Sequence, residues 1–229
     1  MRKTKIVVPV LPTTVAEVQE LNVEKYRKAD IIEWRADFLG NMESILQAAP
    51  LIFEKFTDFS LLFTVRTANE GGNISISKKD YVALLKKIAK FEPDYIDIEY
   101  FSYRKALPQL LEFKEKIVLS YHNFFESPTD LTARMMKMQR EETGFVKVAI
   151  MAQRECEVLD LLQITRDFTM EYGPKFIGIA MGELGRISRI AGGLTGSVWT
   201  FVALDKAEAS APGQLTLPQM LNVLDALEG

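Results

Sequence analysis

Lys147 is the one charged residue in the run Phe145-Val146-Lys147-Val148-Ala149-Ile150. Side chains alternate along an extended strand, so Lys147 points to the face opposite Val146 and Val148. If that face is interior, burial disfavours the ammonium and lowers its pKa. A neutral, desolvated amine is a nucleophile that condenses with a carbonyl compound to give an imine. The competing reading is a lysine near a strand end whose stem is buried and whose amine reaches solvent at the rim. His122, the only histidine of the chain, follows Ile117-Val118-Leu119-Ser120-Tyr121 directly. Its ordinary pKa makes it the natural proton carrier near neutrality, although a lone imidazole also suits a structural hydrogen bond.

Other polar residues cluster at similar places. Glu70, in Asn69-Glu70-Gly71-Gly72, is either a carboxylate that orients His122 or part of a polar turn. Arg35, Arg66 and Arg189 suit an anionic substrate, because a guanidinium pairs bidentately with a carboxylate. Glu33, close to Arg35, reads as an ion-pair partner at the rim. Gly192-Gly193 and Gly196 offer either a phosphate cradle or a flexible connection. Neither G-x-G-x-x-G after a strand nor G-x-x-x-x-G-K-[ST] occurs, so nucleotide binding has no support.

These residues need a scaffold. Short apolar runs rich in Ile, Val and Phe recur at Lys5–Val10, Ile31–Arg35, Leu61–Val65, Tyr95–Ile98, Ile117–Tyr121, Phe145–Ile150, Phe176–Ala180 and Val198–Val202. Runs without polar alternation suit parallel strands buried on both faces. Amphipathic stretches lie between them. Thr13 or Thr14 caps a helix reaching Tyr26, with Glu17 in position for a capping box. Ser77–Phe91 carries Tyr81, Leu84, Leu85 and Ile88 on one face. A helix opens at Pro128-Thr129-Asp130 and runs to Glu142, and Glu155–Met170 turns Val158, Leu159, Leu162 and Ile164 inward. Leu217–Leu227 forms the last helix.

Eight strands separated by helices, without a linker or low-complexity tract, predict a single α/β domain over residues 1–229, a (β/α)8 TIM barrel. The stretch 182–196 holds the least regular unit. In this fold active sites gather at the C-terminal strand ends. Glu33, Arg35, Arg66, Glu70, His122, Lys147, Arg189, Ser210 and Gln214 all fall at or after those ends. Adjacent strands lie about 4.8 Å apart, so Lys147 and His122 on neighbouring strands can reach the same small carbonyl compound.

Composition agrees with a globular chain. Of 229 residues, 28 are Lys or Arg and 31 Asp or Glu, a net charge of −3 with 48% hydrophobic content. That balance argues against a disordered chain and against phosphate-backbone binding. The single Cys156 and single His122 remove disulfides within the chain and metal sites built on several cysteines or histidines. Met1-Arg2-Lys3 before a short apolar run superficially suggests a signal peptide. Pro9 interrupts that run and no cleavage pattern follows, so a cytoplasmic location is expected.

Taken together, Glu33-Trp34-Arg35, Arg66-Thr67, Glu70-Gly71-Gly72, His122-Asn123-Phe124, Lys147, Ile187-Ser188-Arg189 and Ser210-Ala211-Pro212-Gly213-Gln214 resemble the type I 3-dehydroquinate dehydratase family, in order and over the whole chain. The resemblance implies a cofactor-free, metal-free lyase of the shikimate pathway, acting as a homodimer. It implies imine formation by Lys147, proton transfer by His122 and positioning of His122 by Glu70. It further implies that Arg189 binds the substrate carboxylate, with Glu33, Arg35 and Arg66 at ring hydroxyls or in the charge network. Ser210 and Gln214 would lie on a loop closing over the substrate. The first strand, apolar here, offers no polar contact where some members have one. Two other readings share these residues: a Schiff-base aldolase-type lyase, and a non-catalytic binder of cyclic hydroxy-acids.

Overall fold

The computed structural model describes residues 4–228. The cationic start Met1–Lys3 of the signal-like reading lies outside them. Eight strands form: β1 (Lys5–Val10), β2 (Ile31–Arg35), β3 (Ser60–Thr64), β4 (Tyr95–Glu99), β5 (Ile117–Asn123), β6 (Phe145–Met151), β7 (Phe176–Met181) and β8 (Trp199–Phe201). All pair in parallel, in the order β7-β6-β5-β4-β3-β2-β1-β8. At the remaining seam Val198 N donates to Phe176 O at 2.9 Å, so the sheet curls into a nearly closed (β/α)8 barrel.

Nine α-helices accompany the strands among the described residues: α1 (Val15–Glu20), α2 (Met42–Lys55), α3 (Lys78–Ala89), α4 (Tyr100–Tyr103), α5 (Leu131–Gln139), α6 (Glu155–Tyr172), α7 (Arg186–Ile190), α8 (Gly192–Thr195) and α9 (Leu217–Glu228). Thr14 is the N-cap of α1, its Oγ1 accepting from Glu17 N, but the expected capping box is incomplete, because the Glu17 carboxylate accepts the backbone N–H of Thr13 and not that of the cap residue. The helix stops at Glu20 instead of Tyr26, because the Asn22 side chain caps a separate 3-10 turn over Val23–Tyr26. Likewise α5 spans Leu131–Gln139 and falls short of Glu142, whose φ of 53° lies outside helical space. In α6 the inward stripe is Val158, Leu161, Thr165 and Phe168. Leu159, one 100° step further round, is 65% exposed and not interior. The unit after β7 holds only the short α7 and α8, while 3-10 turns over Arg104–Gln109 and Leu111–Lys116 fill much of the stretch after β4.

Two cores result. Outward strand residues such as Val146, Val148 and Ile150 pack against the helices in one large cluster. Inside the barrel Val7, Ile31, Leu62, Val118, Ile177, Trp199 and Phe201 make a second. Trp199 lies 4.7 Å from the Tyr95 ring and 4.5 Å from Phe145, closing the barrel beneath the site with aromatic rings. Above this floor many inward positions are polar, while Ala149, Ile179 and Met181 stay apolar. At about 25 cal/mol per Å² of apolar surface, the two cores supply the stability against which these buried charges are held.

Candidate active site

Strand register sets the heights of the key groups. Ser120 of β5 is paired with Lys147 of β6, and His122 with Ala149, so His122 stands one inward position above Lys147. Lys147 is 4% exposed, with its amine opening into the cavity and not at the outer rim. Its Nζ sits 3.9 Å from Glu33 Oε1 and 3.9 Å above the centre of the Phe201 ring. Burial pushes the amine below its usual range, against the opposing pull of Glu33 and Asp97. Such an amine has more of its neutral, nucleophilic form near pH 7 than an exposed lysine.

His122 Nδ1 lies 3.0 Å from Glu70 Oε2, and the same oxygen accepts the His122 backbone N–H at 2.9 Å. Glu70 belongs to a 3-10 turn, Ala68–Glu70, ended by Gly71 with φ of 79°. Burial drives His122 well below its ordinary pKa, helped by the charges of Arg66, Lys147 and Arg35. Burial likewise drives Glu70 upward, although Arg66 opposes it. Oε2 is the acceptor for the backbone N–H, so it also accepts Nδ1–H whether or not the other oxygen carries a proton. The tautomer is thereby fixed, leaving the Nε2 lone pair free.

The three arginines differ in their partners. Arg35 is clasped bidentately by Asp37, Nε to Oδ1 at 2.8 Å and Nη2 to Oδ2 at 2.9 Å. Glu33 is therefore not paired with Arg35. Its Oε1 instead accepts the Thr64 hydroxyl at 2.9 Å and faces Lys147, because alternation places both β2 residues on one face at successive heights. Arg66 Nη1 donates to Glu99 Oε1 and to Ser120 Oγ, each at 3.1 Å, and its Nη2 is 2.9 Å from Asp97 Oδ1. Burial works against the Arg66 charge, yet Asp97, Glu99 and Glu70 together hold it above its usual range.

Among the described residues, no carboxylate pairs with Arg189. Arg189 donates to two backbone carbonyls, Nη1 to Phe201 O at 3.1 Å and Nη2 to Pro212 O at 3.0 Å, and its buried Nε has no partner. Burial lowers its pKa to about 10. A guanidinium held by carbonyls, with a donor to spare, is an uncompensated cation ready for an anion. The loop after β8 carries the neighbouring groups. Gln214 Oε1 accepts Ser210 N at 2.8 Å, and Gly182 N donates to Pro212 O at 3.2 Å.

One cavity collects Glu33, Arg35, Arg66, His122, Lys147, Arg189, Ser210 and Gln214. Glu70 stands behind His122 and does not line the cavity. The lining draws no residue from β1. Phe124, Ala149, Ile179, Met181, Phe201 and Ala211 supply apolar lining to the same cavity. Phe201, Ile179 and Met181 are invisible to a search for polar strand ends. Alternation along β7 and β8, counted toward those same ends, is the signal that finds them.

The glycine cluster is remote. A Cβ on Gly192 would strike Thr4 and the Ser197 carbonyl, which belong to the N-terminal ends of β1 and β8. Gly192 is therefore a packing residue at the opposite end of the barrel, and this cluster supplies no phosphate cradle for the cavity.

The chain resembles known proteins over nearly its whole length. The sequence pattern of type I 3-dehydroquinase matches residues 6–229. The chain is 57% identical over 228 residues to the 3-dehydroquinate dehydratase of Lactococcus lactis subsp. cremoris (strain MG1363), covering 100% of this chain and 98% of the relative. Its fold is similar to the type I 3-dehydroquinate dehydratase of Clostridium difficile, solved with covalently modified comenic acid, with a TM-score of 0.87 at 31% identity over 99% of this chain and 93% of that one. It is similar also to the 3-dehydroquinate dehydratase of Geobacillus kaustophilus HTA426, with a TM-score of 0.88 at 30% identity over 98% and 91% of the two chains. The buried lysine, the carboxyl-bound histidine and the full-length matches lead to one assignment: the chain belongs to the type I 3-dehydroquinase family.

Proposed function

We propose that the chain removes water from 3-dehydroquinate to give 3-dehydroshikimate, by way of an imine on Lys147. The observation that carries this reading is the buried amine of Lys147 opening into the same cavity as His122. The neutral amine adds to the substrate ketone, and loss of the ketone oxygen as water leaves a protonated imine. That iminium is an electron sink, so the neighbouring C2–H bond becomes acidic. His122 Nε2 takes the C2 proton, the electron pair moves into the iminium to form an enamine, and the imidazole becomes charged. The enamine then expels the C1 hydroxyl, which leaves as water with the proton returned by His122. Water hydrolyses the conjugated iminium, releasing the enone and the free amine.

Arg189, which pairs with no carboxylate among the described residues, holds the substrate carboxylate in this reading. Glu33, Arg35 and Arg66 face the ring hydroxyls or the charge network. Ser210 and Gln214 contact substrate from the loop after β8, whose closure excludes water from the imine. The family resemblance supports a single catalytic domain that works as a cytoplasmic homodimer in aromatic amino-acid biosynthesis. Among the described residues, no helix is long and apolar enough to cross a membrane.

The test is borohydride reduction during turnover. A stable adduct of one ligand's mass on Lys147, with growth of the enone absorbance in the unreduced reaction, is the expected result. An unmodified Lys147 overturns the imine, and an unchanged spectrum identifies a binder that performs no dehydration.

A further inference from the structure

Asp37 does not line the cavity, yet it is completely buried directly behind it. It stands two residues beyond Arg35, in the 3-10 turn Ala36–Leu39 that follows β2. Its carboxylate accepts five hydrogen bonds from three places. Two come from the Arg35 guanidinium. One comes from the backbone N–H of Arg66 at 3.3 Å to Oδ1. The last two come from Asn73, its N–H at 3.2 Å and its Nδ2 at 3.1 Å, both to Oδ2.

Arg66 and Asn73 are the two ends of the loop that carries Glu70. Its ends also approach one another: a Cβ on Gly72 would collide with the Arg66 carbonyl, and Thr67 pairs with Ile74. One buried anion therefore closes this loop and orients Arg35 as well. Glu70 in turn fixes the His122 ring through Oε2. Hydrogen bonds to an ionised acceptor are stronger than neutral ones, so a carboxylate suits this task better than an amide.

We propose that Asp37 is a positioning residue for the proton transfer. It clamps the 66–73 loop so that Glu70 presents His122 at the reacting carbon, and it holds Arg35 toward the substrate. The proposal rests on the imine and His122 reading above. The two are separable because imine formation precedes the step that the clamp serves.

The test compares Asp37→Asn and Asn73→Ala with the unaltered enzyme at saturating 3-dehydroquinate, measuring kcat and the rate of borohydride trapping on Lys147. Asp37→Asn is expected to lower kcat about tenfold or more while trapping continues at its original rate, as for a misplaced catalytic group. Asn73→Ala removes one donor from an exposed side chain, leaves the Arg35–Asp37 pair intact, and is expected to lower kcat about threefold. It keeps the proposal testable should Asp37→Asn fail to fold. Equal loss of kcat and trapping in both variants would mean a merely structural role and would overturn the clamp, as would unchanged kcat in both. Absence of trapping in the unaltered enzyme would instead overturn the imine reading.

Discussion

Glu70 meets His122 twice through a single oxygen: Oε2 accepts the backbone N–H at 2.9 Å and faces Nδ1 at 3.0 Å. Backbone and ring are thus locked to one atom. The ring can rotate neither about Cα–Cβ nor into the other tautomer without losing that contact.

The amide of Glu70→Gln keeps an acceptor oxygen at this place but cannot gain or lose a proton as the imidazole does. Glu70→Ala removes the acceptor as well. We expect kcat to fall about tenfold in the first and about a hundredfold or more in the second, with the order itself the check. Steady-state rates at saturating substrate measure it, and equal losses in the two variants would show that the shared oxygen is not what matters.

The pH dependence follows from burial. His122 has a folded pKa well below 6.5, so it stays neutral and able to accept a proton as pH falls through 6.5. Turnover at saturation is expected to hold across that value and to decline only at lower pH. Lys147 is lowered from 10.5, so the rate of imine trapping is expected to rise with pH and to level off before 10.5. An acid limb centred at 6.5, or a trapping rate still climbing at 10.5, would contradict the burial of these groups.

Arg189 gives a test of anion binding. Removing it as Arg189→Ala is expected to reduce kcat/KM by about ten- to a hundredfold, the value of a charged hydrogen bond. Arg189→Lys is expected to restore little, because an ammonium cannot reach Phe201 O, Pro212 O and a carboxylate in one planar fork. Kinetics with 3-dehydroquinate decide this, and full rescue by lysine would leave only the charge as relevant.

The amine at the centre of the site is a cost to the fold. A lowered folded pKa means that the unfolded chain binds the proton more tightly, so the penalty is complete below the folded pKa and disappears as pH rises above 10.5. Lys147→Met removes that penalty and fills most of the volume. It is expected to be inactive and to melt a few degrees higher near pH 7, with the gain shrinking at alkaline pH. Calorimetry at two pH values measures this; a lower melting temperature at pH 7 would mean that the pairing with Glu33 and Asp97 outweighs desolvation.

The sequence alone determined the eight strands, because unbroken Ile, Val and Phe runs have no stable place except inside a sheet covered on both faces. Period-two alternation and strand order were then enough to bring Lys147 and His122 to one end of one barrel. Helix limits were less legible: the end of α1 was decided at Asn22, whose side chain caps the next turn, and the exposure of Leu159 by a 100° phase that short apolar spacing does not resolve.

What only the tertiary structure decided was the pairing of charges. Arg35, Arg66 and Arg189 look alike in the chain, yet one is clasped by Asp37, one by Asp97 and Glu99, and one by carbonyls alone. Partners such as Arg66 and Glu99 meet across adjacent strands at a register that sequence does not specify. The same holds for the glycine cluster, whose end of the barrel depends on where α8 turns back toward Thr4. Hydrophobic periodicity is a local property of the chain and can be read along it. The electrostatics of a buried site depends on distances between residues far apart in sequence, and those exist only once the barrel has closed.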